Sequence, residues 1–387
     1  MKQFRYSMLL FFAAAVFVAA GLISRPLLSG VKLATVQLVQ TGDVEAFIDR
    51  VDTSSKNLSY KGTLIDLYAL WYRATDTREV VKDDATVVRL ENDFLAFQPQ
   101  IADGETLAEM ADACTRLKGI TDRLDIPLLY VMAPNKMSLS EGGDNPVADN
   151  LDDFAALLAA RNVPVLDLRN NMATQGLTME NAYFHTDHHW LPETGLWAAG
   201  EIAGALGLDT ALLETDNYTF TTYEDLFLGS EGKKVGRYFT PLGLDDFSMI
   251  TPNFDTHLTV TDYTGTQTGE FTETLLDPID EQNVDLDRLM RYLINPYAMY
   301  TGSDYPLQTI ENHLYEGGER ILVIRDSYAC VVTPFLSLTA GEVHTVDVRY
   351  WTGTETADTI LDYLEVLQPD HVVVLYSGVS PHMFDFE

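Results

Sequence analysis

At 387 residues and 46% hydrophobic content, the chain can bury a substantial core, as one large α/β domain or one domain with a smaller N-terminal module. Its 58 Asp and Glu against 25 Lys and Arg leave a formal charge of −33. That surface repels nucleic acid and anionic lipid headgroups and argues against a nucleic-acid function. The acidity is spread along the chain, so it bears on solubility more than on a partner. The two cysteines, Cys114 and Cys330, have no metal-ligand spacing and read as buried thiols, with a single bridge between them as the alternative.

Lys2 and Arg5 precede an apolar run at residues 7–23, SMLLFFAAAVFVAAGLI, closed by Ser24, Arg25 and Pro26. A spanning helix needs about 20 apolar residues, with a range of roughly 17–25. The flanking positive charge predicts an N-in, C-out anchor. A cleaved signal peptide is the competing reading, with Val18 and Ala20 as small residues at the cut. The run exceeds a usual signal core, which favours the anchor. Either reading places residues 31–387 outside the cytoplasm.

The expected organisation is an anchor or signal over residues 1–30, an aromatic-rich entry module over 31–99 and an α/β domain over 100–387. In the domain, residues 106–124 have helical spacing and 127–133, PLLYVMA, suit a buried strand. A helix at 152–161, a strand at 163–168 and a helix at 194–206 follow. Residues 209–301 lose this alternation and read as a polar, aromatic insertion with short strands. Order returns with a strand at 318–324, a helix from Tyr328, a strand at 343–348, a helix at 355–367 and a strand at 371–375. Apolar strands alternating with helices predict a three-layer fold around a parallel sheet.

In such sheets ligands sit at the carboxyl ends of the strands. Asn135 and Lys136 follow the first of these strands, Arg325, Asp326 and Ser327 follow ILVI, Arg349 and Tyr350 follow VHTVDV, and Tyr376 and Ser377 follow HVVVL. Ser327 at a strand-to-helix turn is a candidate nucleophile, because helix N-terminal amides there face a developing oxyanion. Taken alone, the run favours a blander role, a cap on the next helix. A base is offered by Tyr183-Phe184-His185-Thr186-Asp187-His188-His189-Trp190. In an extended segment Asp187 and His189 point the same way, so the carboxylate can orient the imidazole. Zinc ligation by His185, Asp187, His188 and His189 is the rival. Adjacent histidines tend to point apart, and there is no histidine two residues before His185, so no metal is expected.

The run Thr186–Trp190 resembles the signature of the DHHW family. Residues 321–328, 334–336 and 346–350 resemble that family's later blocks, and the whole is similar to the SGNH-hydrolase-like domains of the alginate O-acetylation proteins AlgJ and AlgX. The resemblance covers roughly residues 100–377, interrupted by 209–301. It implies an SGNH-like fold in permuted order, with Asp187, His189 and Ser327 as a catalytic triad; the link to the distant serine rests on it. It also implies substrate contacts from Lys136, Arg349 and Tyr350, an acetyl group, no cofactor, and a membrane-bound O-acyltransferase as the donor's source. Two positions depart from the family: Cys330 and Ser377 stand where asparagines are usual. The expected function is extracytoplasmic O-acyl transfer to a cell-surface or exported polysaccharide. A carbohydrate esterase with the same triad, a non-catalytic polysaccharide scaffold and a metal-dependent hydrolase are the alternatives.

Overall fold

The computed structural model describes residues 61–386, apart from 83–84, 141–143, 278–293, 302–303 and 316. The expected anchor at residues 1–30, and the first half of the entry module, lie outside the described residues. Among those described, no helix is long and apolar enough to cross a membrane.

Helix α1 (Lys61–Ala74) and a small antiparallel sheet of β1 (Glu79–Lys82), β2 (Ala85–Arg89) and β3 (Leu95–Phe97) form the described part of the entry module. The domain proper begins with α2 (Gly104–Leu124), β4 (Leu128–Met132), α3 (Pro146–Ala160) and β5 (Val165–Asp167). Then come α4 (Leu168–Gln175) and α5 (Pro192–Leu206). The insertion holds β6 (Tyr218–Phe227), α6 (Ser230–Val235), β7 (Asp245–Pro252), β8 (Leu258–Asp262) and β9 (Gly265–Gly269). The chain closes with β10 (Leu307–Asn312), β11 (Arg320–Arg325), β12 (Glu342–Val346), α7 (Ile360–Leu367) and β13 (His371–Tyr376).

Eight strands form the main sheet in the order β5-β4-β13-β11-β12-β10-β8-β9. The first five pair in parallel; Ile321 of β11, for example, lies opposite Val343 of β12 and His371 of β13. The expected all-parallel sheet is corrected at the other edge, where β10, β8 and β9 pair antiparallel and make the sheet mixed. The physical reason lies in burial. The outermost strand, β9, is almost wholly exposed and its neighbour β8 is only half buried, so neither needs the continuous apolar run that marks a strand covered on both faces.

The period-2 alternation of β11 divides the core. Ile321 and Val323 face one layer with Ala198, Ile202 and Phe335, while Leu322 and Ile324 face the other with Leu117, Phe154 and Leu364. Helices α2, α3 and α7 cover the second face, and α5 covers the first. Cys114 and Cys330 are free, buried thiols on opposite sides of this sheet, which rules out a bridge between them. Helix α5 approaches the turn after β11 closely at Gly195, where an added Cβ would lie 2.3 Å from the Val331 carbonyl oxygen.

Candidate active site

Three of the parallel strands end on an aspartate that caps the next turn. Asp167, Asp326 and Asp347 accept the backbone N–H two residues on, from Arg169, Tyr328 and Arg349, at 3.0, 2.9 and 3.1 Å. These Asx turns stop each strand at the same sheet edge and bend the chain across it. The capping role foreseen after β11 therefore falls to Asp326. Ser327 is the first residue of the short 3₁₀ turn Ser327–Val331, with its hydroxyl left for other work.

The base sits on a tight loop. Tyr183 and Trp190 bridge antiparallel, and Leu191 N–H donates to the Ala182 carbonyl at 2.8 Å. Residues 185–189 form a bend rather than the extended segment expected. Asp187 and His189 still meet, because Oδ1 of Asp187 accepts both the His189 backbone N–H at 3.1 Å and its Nδ1–H at 2.5 Å. A carboxylate can only accept, which leaves Nε2 of His189 free to accept from Ser327 Oγ at 2.8 Å. Asp187, His189 and Ser327 thus stand in one hydrogen-bonded line.

Most of what holds this line is invisible in the motif. Oδ2 of Asp187 accepts the Ser230 N–H at 2.5 Å, and the Ser230 hydroxyl meets Nδ1 of His188 at 2.8 Å. The Thr186 hydroxyl accepts the Gly229 N–H at 2.8 Å, and its carbonyl accepts the Gly232 N–H at 3.0 Å. Only glycine fits at 229, where a Cβ would lie 2.2 Å from that of Asp187. The Tyr297 ring stacks on His189 with centroids 4.0 Å apart and planes 17° off parallel. Trp190 Nε1–H donates to the Tyr328 carbonyl at 3.0 Å, and the Tyr328 hydroxyl donates to the His188 carbonyl, tying the two loops together. Ser230, Glu231 and Tyr297 all come from the insertion, and no spacing rule pointed to them. Gly-Ser before a short helix was the one available signal, a loop that can turn backbone amides onto an anion.

Burial works to raise the Asp187 carboxyl, but His188, His189 and the hydrogen bonds from His189 and Ser230 hold it well below the usual range. His188 is shifted down by burial and by the neighbouring His189, although part of its ring reaches solvent.

Lys136, expected among the substrate contacts, lies buried close to the line. Its buried ammonium donates to the carbonyls of Asp187 at 2.7 Å and Phe184 at 3.2 Å, and lies 3.5 Å from Glu231 Oε2. The β4 end is thereby a prop under the histidine loop. Glu231 in turn accepts the Phe97 N–H at 3.1 Å, so the pair also ties the entry module to the site. Burial pushes the Glu231 carboxyl up to about 8, with Lys136 opposing the shift.

Arg349 grips Asp347 through Nε and Nη2 at 2.9 and 2.6 Å and lies 3.4 Å from Asp304. Asp304 and Asp347 also hold the buried Arg325. Tyr350 is 49% exposed, with the Arg349 guanidinium 5.3 Å from its ring centre. The two family departures also find partners. Ser377 N–H and Oγ both donate to Asp326 Oδ2 at 2.7 Å, and the Cys330 thiol lies 3.4 Å from Asp304.

Asp187, His188 and His189 present ligand atoms within 4.8 Å of one another. Those atoms are already spent: both Asp187 oxygens accept hydrogen bonds, Nδ1 of His188 faces Ser230, and His185 turns away to Asp245 at 2.6 Å. The donor set suits a hydrogen-bond relay better than a metal. A cavity of about 560 Å³ includes Asn135, Asp326 and Ser377 in its lining, so it reaches the residue before Ser327, although none of the three aligned residues lines it.

Residues 96–286 match the family model described as ALGX, the SGNH hydrolase-like domain of acetyltransferase AlgX. That stretch is therefore similar to an SGNH hydrolase-like domain. The matched stretch includes Lys136 and the Asp187–His189 loop and ends before Ser327. Among solved structures, a DHHW family protein from Eubacterium siraeum is similar at 17% identity and TM-score 0.59, over 79% of this chain and 96% of that one. Bacillus cereus PatB1 with a sulfonyl adduct matches at 20% identity and TM-score 0.61, over 79% and 100%. The O-acetyltransferase domain of Pseudomonas putida AlgJ matches at 15% identity and TM-score 0.42, over 77% and 92%. The first two share the fold of this chain; the third is too distant to add to that. Among curated proteins none matches. The expected resemblance to AlgX-like and DHHW family proteins is therefore shown.

Proposed function

We propose that this protein is an extracytoplasmic O-acetyltransferase acting on hydroxyls of a cell-surface or exported polysaccharide. The observation that carries the reading is the unbroken line Asp187–His189–Ser327, with contacts of 2.5 and 2.8 Å, at the carboxyl end of β11. A matched model named for an acetyltransferase supports the choice of acyl group.

Ser327 Oγ attacks the carbonyl carbon of an acetyl donor while its proton passes to Nε2 of His189. Asp187 stabilises the imidazolium so formed. The Ser327 N–H, at the first position of its turn, has no acceptor within that turn and faces the developing oxyanion. Collapse of the tetrahedral species breaks the donor's ester bond, and its leaving oxygen takes the proton from His189. A sugar hydroxyl then gives its proton to His189 and attacks the acetyl-serine, and collapse returns acetyl to the sugar and the proton to Ser327 Oγ. Water in place of the sugar makes the same site an esterase. Ser377 is turned onto Asp326, so oxyanion stabilisation rests more heavily on backbone amides. The apolar run at residues 7–23 supports an anchored, extracytoplasmic placement, with a membrane-bound O-acyltransferase as acetyl supplier.

The test is acetyl release and transfer from an activated ester by the full-length protein, with and without chelator. Ser327→Ala should lower turnover about 10⁴–10⁶-fold, and a sulfonyl fluoride should label the wild type at Ser327 alone. Wild-type turnover in the Ser327→Ala variant would sink the triad. Loss with chelator alone would instead favour a metal hydrolase, and no turnover of any ester would favour a scaffold.

A further inference from the structure

We propose that the cavity beside Ser327 is the acceptor subsite and takes an uncharged, polyhydroxyl glycan rather than a uronate or other anionic polymer. The inference rests on the acyl-transfer reading for its place in the reaction and on the cavity's own chemistry for its ligand.

At about 560 Å³ the cavity falls within the roughly 300–1,000 Å³ typical of small-molecule sites. Its lining includes Asp326 and Ser377, the residue before the nucleophile and the residue after β13, so a ligand seated against them would lie one residue from Ser327. Asn135 adds an amide to that lining: its Oδ1 accepts the Ser138 N–H at 3.1 Å, which turns the NH₂ toward Gly378. Elsewhere the wall is apolar and part-exposed at Pro99, Ile101 and Val379. Sugar rings have this same division, with hydroxyl edges and C–H faces.

Charge decides the class of sugar. The lining contains no Lys or Arg, while Asp103 and Asp326 are part of it and His382 is its one basic residue. The cations nearby are already compensated inside the protein. Arg349 and Arg325 share Asp304 and Asp347, and Lys136 is buried and bound by the Phe184 and Asp187 carbonyls. Planar carboxylates and phosphates are usually gripped by an uncommitted Arg or Lys. A chain of net charge −33 adds a long-range field of the same sign. An acidic polymer would meet repulsion at every distance, whereas a neutral one meets hydrogen-bonding groups and apolar walls.

The experiment titrates the full-length Ser327→Ala protein, which cannot turn over, with neutral cello- and chito-oligosaccharides and with oligogalacturonates. Saturable binding of a neutral series is expected, with uronates at least tenfold weaker and weaker still at low salt, where repulsion is unscreened. Val379→Trp, which fills the cavity, should abolish neutral binding. Ser380→Lys should raise uronate affinity about tenfold. Uronate binding as tight as neutral binding, neutral binding untouched by Val379→Trp, or no binding of either class would overturn the proposal. Ester turnover by the wild type is measured alongside. If turnover stands and the binding pattern fails, this inference alone falls. If turnover fails while neutral binding holds, the cavity is a glycan site and the acyl-transfer reading falls.

Discussion

The five parallel strands and the insertion at residues 209–301 meet at the same point and contribute opposite things. The strands deliver reactive or capping groups: Ser327, Asp326 and Asp347 stand at strand ends because an Asx turn stops each strand at that edge. The insertion delivers almost nothing reactive. It gives an N–H to Asp187, a ring under His189 and a buried carboxylate beside Lys136. One region supplies chemistry and the other preorganises it, and both are needed where a relay must hold its geometry within a fraction of an ångström.

The largest effect should come from the histidine loop itself. Asp187→Asn keeps the shape but swaps a carboxylate for an amide that cannot stabilise an imidazolium and favours the wrong tautomer. Ester turnover should fall about 10⁴-fold with little loss of melting temperature. Turnover within tenfold of wild type would mean that Asp187 is only structural and the comparison is misdrawn.

A smaller but sharper test removes a single backbone donor from the insertion. Ser230 is the first residue of α6, a position where proline is favoured, and Gly229 before it has φ −71° and ψ −178°, which a following proline accepts. Ser230→Pro therefore deletes the N–H to Asp187 Oδ2 without disturbing the helix. Loss of one charge-assisted hydrogen bond, about 1.5–3 kcal/mol, predicts roughly a 10–100-fold fall in turnover. Ser230→Ala keeps that N–H and should fall far less. Equal effects from the two variants would place the role in the hydroxyl that meets His188.

The same contrast explains what the sequence disclosed. The central strands were legible because sheets covered on both faces need continuous apolar runs, and PLLYVMA, ILVI and HVVVL have them. Asp187 and His189 were legible from their spacing, although a bend and an Asx turn bring them together rather than strand alternation. Their junction with Ser327 was not legible in any local pattern, since 138 residues separate His189 from Ser327. Short strands were expected in the insertion, but β8 and β9 could not be placed individually because β9 is an exposed edge strand and β8 beside it is only half buried. Lys136 was named only through the family resemblance, and its contacts with the carbonyls of Phe184 and Asp187 had no local signal. Tyr297 and Glu231 carried no signal at all, because support by stacking or burial leaves no periodicity.

The smallest effect should be in pH dependence and comes from Glu231. Its carboxyl is raised to about 8 in the folded protein, against roughly 4.3 for an ordinary glutamate. Between those values the folded state keeps a proton that the unfolded chain has lost. The unfolded state binds fewer protons there, so this group's contribution must decline as pH rises from about 4.3 to 8, and it is flat outside that window. Glu231→Gln keeps the acceptor for the Phe97 N–H and cannot ionise. Its melting temperature should match the wild type near pH 4 and exceed it progressively toward pH 8. The residual slope in the variant reports the rest of the protein. If the variant instead loses stability most at pH 8, the ionised Glu231–Lys136 pair is a net stabiliser. The insertion would then hold the site through a salt bridge rather than through a neutral buried acid.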